Sequence, residues 1–184
     1  MTTAATPRAE TQPRRALLGL RRTPGRLALA VFRLPLFLYR RGWGWLLGRT
    51  FLSLVHAGRR SGQPHQIVAM VLADDPVARQ VVICSGWGPD ADWVKNVRAG
   101  GAQQVCIGRD RFVPEHRFLS DDEAAAVGVA FRERHHRRLW LISKILGWGD
   151  LSTEAAMRGF VQGHPFVAFR PVTAPAAEHT ENTR

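Results

Sequence analysis

The sequence predicts an α+β protein in which about six short antiparallel strands close as a small barrel, with helices on its flanks. Three observations predict it. Short β-branched apolar runs recur through the middle of the chain, each bounded by Gly, Pro or Asp. Helical-period segments lie before, between and after them. Strand–helix–strand alternation is absent, which excludes a doubly wound parallel sheet.

The elements follow in order. Residues 1–25 are rich in Thr, Ala, Pro and Arg without periodicity and read as a disordered basic tail. Residues 26–50 form a basic amphipathic helical segment. In it Leu27, Val31, Leu34 and Leu38 recur at helical spacing beside Arg26, Arg33 and Arg40, and Pro35 predicts a kink. From 51 to 172 the chain reads as one domain, and 173–184 as a polar disordered tail. The expected strands are 51–57, 66–73, 79–85, 103–108, 111–119 and 164–172, with 73–78 as a turn. A short helix is expected at 93–100, capped by Asp90 or Asp92 and stopped by Gly100–Gly101. Ser120 with Glu123 makes a capping box for a helix through about Glu133; further helices are expected at 137–148 and 153–162.

The chain has 184 residues and a formal net charge of +11, from 26 Lys and Arg against 15 Asp and Glu. That balance calls for an anionic partner. The first fifty residues hold ten arginines and one acid, Glu10, so the excess is concentrated there. Trp43 and Trp45 stand among those cations, as in a membrane-surface element. A helix packed on its own domain with solvated arginines explains the same pattern, and both readings stay open. The apolar run 27–39 is broken by Arg33 and Pro35 and is too short to span a bilayer. With no clear export signal, the expected location is cytoplasmic, with peripheral contact to the inner face of the cell membrane. No nucleic-acid motif accompanies the charge, so a nucleic-acid partner is not expected. Cys84 and Cys106 sit in separate apolar runs and read as free thiols. His135 and His136 are adjacent on a helix and point about 100° apart, so they do not share an ion, and no metal site is expected.

Two constellations carry chemistry. In "GRRSGQPH" (58–65), Gly58 and Gly62 bracket Arg59, Arg60 and Ser61, with His65 just beyond. Glycines admit positive φ and bring backbone N–H groups close to a ligand, so such a loop can cradle phosphate. A solvated basic hairpin tip has the same composition. In "CSGWGPDADWVKNVRAGG" (84–101), Ser85 and Gly86 end a strand, and a loop leads to a helix carrying Trp93 and Asn96 on one face. Asn96 either ties down a neighbouring loop or meets a ligand.

Taken together, these motifs and the lead-in "RLPLFLYRRGWGWLLGR" (33–49) make the chain similar to the deazaflavin-dependent nitroreductase family, flavin/deazaflavin oxidoreductases of actinobacteria. The resemblance covers residues 32–119 and the strand near 164–171. It implies a split β-barrel that binds coenzyme F420, with FMN as the alternative cofactor. It also implies hydride transfer to a small electron-poor acceptor such as a quinone, an enone or a nitro compound. The implied cofactor-binding residues are Gly58, Arg59, Arg60, Ser61, Gly62, His65, Ser85, Gly86, Trp93 and Asn96, with the arginine loop on the phosphate and acidic tail. His65, Gly86 and Val94 depart from the family's usual residues, and Tyr39 is the only tyrosine. The alternative is a split-barrel module that binds a cofactor or a membrane surface without turnover.

Overall fold

A computed structural model describes residues 35–172. The expectations for 1–34 and for 173–184 lie outside the described residues. Helical residues 35–40 and a short 3-10 turn, Gly44–Leu47, lead into the sheets. Then come β1 (Phe51–Ala57), β2 (Pro64–Met70), β3 (Ala73–Asp75) and β4 (Gln80–Cys84). Helix α1 (Asp92–Arg98) precedes β5 (Ala102–Ile107), β6 (Asp110–Phe112) and β7 (Pro114–Phe118). Two longer helices, α2 (Asp121–Leu146) and α3 (Glu154–Gly163), come before the last strand, β8 (Phe166–Pro171).

The α+β class and the antiparallel pairing are as expected; the strand count is corrected. Among the described residues, eight strands form two four-stranded sheets, ordered β2-β1-β5-β6 and β3-β4-β8-β7. No described strand of one sheet is hydrogen-bonded to a strand of the other, so no continuous ladder closes a barrel. The expected strand 111–119 is two strands. Its first part, β6, pairs with β5 in one sheet, and its second part, β7, pairs with β8 in the other. Pro114 falls at the crossing: it has no N–H to continue a ladder, and Val113 before it is exposed. The expected turn at 73–78 contains the short strand β3, paired with β4.

Period-two alternation builds the core between the sheets. Leu52 and Leu54 of β1, Val105 and Ile107 of β5, Val81 and Ile83 of β4, and Val167 and Phe169 of β8 all point inward. Trp93, Val94 and Val97 of α1 complete that cluster. The opposite face of β4 and β8 carries Val82, Phe166 and Ala168, and these meet Phe131, Met157 and Phe160 from the long helices. The second sheet is thus covered on both faces, which is why β8 reads as a continuous apolar run. Each such side chain contributes about 1.5–3 kcal/mol when fully buried.

Helix α2 opens as expected. Glu123 N–H donates to Ser120 Oγ at 3.3 Å, and Ser120 N–H donates to Glu123 Oε2 at 2.9 Å. The two helices expected at 120–133 and 137–148 are one element broken at His135, where φ is −137° and ψ 39°. Helix α1 has no side-chain cap. Its N-cap is Ala91, while Asp92 and Asp90 form ion pairs with Arg59 and Lys95. Cys84 and Cys106 are free thiols in different sheets, and burial pushes the Cys84 thiol up to about 12.

Candidate functional site

The register of β1 with β2 sets His56 opposite His65, so the loop 58–63 caps that hairpin. Two bonds shape the loop. Gly58 N–H donates to the Gln63 carbonyl at 2.8 Å, and Gly62 N–H donates to the Gly58 carbonyl at 2.7 Å. Gly62 has φ +66°, a conformation that favours glycine. Gly58 is needed for space: a Cβ there would lie 2.8 Å from Ser61 Oγ and 3.1 Å from His65 Nε2.

Below the loop lies a cavity of about 560 Å³, the size of a small-molecule site. Seven of the expected residues line it: Gly58, Arg59, Arg60, Ser61, His65, Trp93 and Asn96. Gly62 closes the loop without lining the cavity. The other two lie elsewhere. Ser85 is fully buried, and its hydroxyl donates to the Gly88 carbonyl at 2.6 Å within its own loop. The Gly86 carbonyl accepts from Trp148 Nε1 at 3.0 Å, on the side of the long helices. Neither lines the cavity.

The two arginines have different environments. Arg59 turns back onto α1. Its Nη1 donates to Asp92 Oδ1 and to Asn96 Oδ1, both at 3.0 Å, and its backbone N–H donates to the same Asn96 oxygen at 3.1 Å. Asn96 therefore ties the loop to the helix. Among the described residues, Arg60 makes no ion pair or side-chain hydrogen bond, and the backbone N–H groups of Arg60 and Ser61 find no partner. Arg60 and Ser61, which carry these groups, both line the cavity.

Sequence reasoning left out four lining residues: His56, Gln66, Ile67 and Asp92. The signal for His56 was its place directly across the hairpin from His65. The rings stack at 5.7 Å. Asn96 Nδ2 donates to His56 Nδ1 at 3.1 Å, which leaves the ring proton on Nε2. Burial lowers the His56 pKa from its ordinary value, and the neighbouring His65 lowers it further.

No protein-family profile and no curated protein matches the chain. Among solved structures it is similar to an F420-H2 dependent reductase (FDR-A), at 15% identity over 67% of this chain and 96% of that one, with a TM-score of 0.45. A structure described as a domain-swapped dimer gives 15% identity, 74% and 99% coverage and a TM-score of 0.44. A pyridoxamine 5'-phosphate oxidase-related, FMN-binding protein from Nostoc punctiforme gives 13%, 82% and 81%, and 0.41. At such identities and TM-scores the likenesses assign no ligand or reaction to this chain.

Proposed function

We propose that the protein is an F420H2-dependent oxidoreductase that passes a hydride from reduced deazaflavin to an electron-poor acceptor, a quinone, an enone or a nitro compound. One observation carries the reading. Among the described residues, the loop 58–62 leaves the Arg60 guanidinium and two N–H groups unpaired at a cavity walled by Trp93 and Ile67. An anionic tail suits the first feature, and a flat ring suits the second.

The residues present fit such a cofactor. Arg60 and the N–H groups of Arg60 and Ser61 would hold its phosphate. Trp93 and Ile67 would lie against its ring, and Asn96 and His65 would supply polar contacts. Arg59 would act in support, by holding the loop on α1. When bound, reduced deazaflavin supplies the hydride; the protein supplies position and charge. The two-sheet arrangement is consistent with a split β-barrel, and we take 51–172 as the cofactor-binding domain.

FMN is the second reading, because Arg59 is engaged with Asp92 and Asn96. That leaves one guanidinium on the loop, enough for a single phosphate. A membrane-surface contact by the N-terminal segment belongs to the same proposal. Trp43, Trp45 and Leu46 are exposed beside Arg40, Arg41 and Arg109. No described helix is long and apolar enough to cross a membrane.

The deciding experiment is a paired fluorescence titration with F420 and with FMN. Saturable F420 binding that Arg60→Ala weakens supports the main reading. No F420 binding at tens of micromolar, with tight FMN binding instead, overturns it in favour of the second.

A further inference from the structure

A second cavity, of about 480 Å³, lies between α2 and the junction of β2 with β3. It shares no lining residue with the cavity under the arginine loop. On α2 its wall carries Ala126, Ala130 and Arg134 at four-residue spacing, with Arg138 beyond the break at His135. The small residues come first and the cations last. Val127, Phe131 and His135 form the neighbouring stripe, and the helix breaks at His135, level with the charged end. Val71, Leu72 and Ala73 line the opposite side. The wall is thus graded, apolar at one end and cationic at the other.

The charges at that end are uncompensated. Arg49 also lines the cavity, but its guanidinium is held by Asp74 and Asp110. Asp74, the only acid among the described lining residues, is taken up by that same contact. Among the described residues, Arg134 and Arg138 make no ion pair or side-chain hydrogen bond. Arg134 and Arg138 flank the break at His135 and both line the cavity, so their like charges repel each other unless an anion joins them.

We infer that this cleft binds an amphipathic organic anion, with its apolar body along Ala126, Ala130 and Phe131 and its phosphate or carboxylate on Arg134 and Arg138. A free inorganic ion would leave the apolar end unused, and an uncharged lipid would leave both arginines unpaired. The inference is independent of the proposed oxidoreductase activity.

The test uses the full chain and decyl phosphate below its micelle concentration, followed by calorimetry, with inorganic phosphate and decanol as comparisons. Decyl phosphate should bind at least about tenfold more tightly than either, and Arg134→Gln with Arg138→Gln should weaken it by about tenfold or more. Ala130→Leu, at an exposed helical position, should also weaken it by filling the apolar end. None of these changes should move F420 or FMN binding. Decyl phosphate binding unchanged in the arginine double variant overturns the inference. So does inorganic phosphate binding as tightly as decyl phosphate, or binding only to anionic vesicles and never to the monomeric amphiphile. If Ala130→Leu lowers the melting temperature, the arginine variant alone decides.

Discussion

Asn96 accepts two hydrogen bonds from a single residue: its Oδ1 takes both the backbone N–H and the Nη1 of Arg59, at 3.1 and 3.0 Å. Its Nδ2 donates to His56. One buried amide therefore joins α1, the loop and β1. Asn96→Ala leaves the Arg59 N–H and the His56 ring without their partner. Loss of about 2–4 kcal/mol of stability is expected, because buried polar groups left unsatisfied carry their full desolvation penalty. Urea unfolding reads this as a lower midpoint with an unchanged slope. An unchanged midpoint would show that the loop is held without this amide.

Adjacent arginines should behave differently on substitution. Arg59→Ala removes contacts to Asp92 and Asn96, so it should lower the melting temperature and also weaken the anionic cofactor. Arg60→Ala removes no hydrogen bond or ion pair among the described residues, so stability should stay within about 0.5 kcal/mol. Cofactor binding should nevertheless weaken by about 1.5–3 kcal/mol, the usual range for a hydrogen bond to a charged group. The paired measurements are thermal unfolding without ligand and fluorescence titration with it. Equal cofactor affinity in Arg60→Ala and the native chain would remove Arg60 from the site.

The difference between these arginines shows what the sequence could and could not carry. The hairpin, its glycines and the basic loop were legible because turn chemistry is local. The destination of Arg59 was not, since Asp92 lies 33 residues away and Asn96 37. Ser85 stood at a strand end as expected, but its hydroxyl closes its own loop onto Gly88, a choice no spacing reveals. The strand read at 111–119 failed for a tertiary reason as well. Pro114 was visible, but the move to the other sheet depends on β8, which comes some fifty residues later in the chain. Helix α2 lay at the other extreme, because Ser120 and Glu123 are three residues apart and cap it by themselves.

Gly101 should tolerate no side chain. A Cβ there would lie 2.8 Å from the Ala57 carbonyl oxygen and 2.8 Å from that of Asn96, both backbone atoms. The same two residues are also its hydrogen-bond partners. Gly101 N–H donates to Asn96 O at 2.9 Å, and Ala57 N–H donates to Gly101 O at 2.8 Å. Gly101→Ala must push α1 away from the end of β1, which opens the contact between Asn96 and His56. We expect a loss of about 2 kcal/mol or more by urea unfolding, with weakened cofactor binding alongside. Gly159→Ala, on an exposed helical face with open space around it, is the control and should be neutral or slightly stabilising.

Acid should destabilise the protein through two histidines, His56, which is buried, and His164, which is half-buried. Burial lowers the pKa of His56 and of His164 from the ordinary value of 6.5. His164 donates its Nδ1–H to the Phe160 carbonyl at 2.9 Å and stacks on the Phe160 ring at 3.9 Å. The unfolded chain therefore takes up protons first as the pH falls. Stability is fully present above 6.5 and declines as the pH drops through the lowered folded values. The Glu123 carboxyl is lowered from 4.5 to about 2, chiefly by Arg117, so its contribution is lost in a separate window below 4.5. His164→Phe removes one of the two histidines while keeping an aromatic ring on Phe160. Urea midpoints measured from pH 7.5 down to 5 should fall less steeply in that variant than in the native chain. Parallel slopes would show that His164 titrates alike in the folded and unfolded protein.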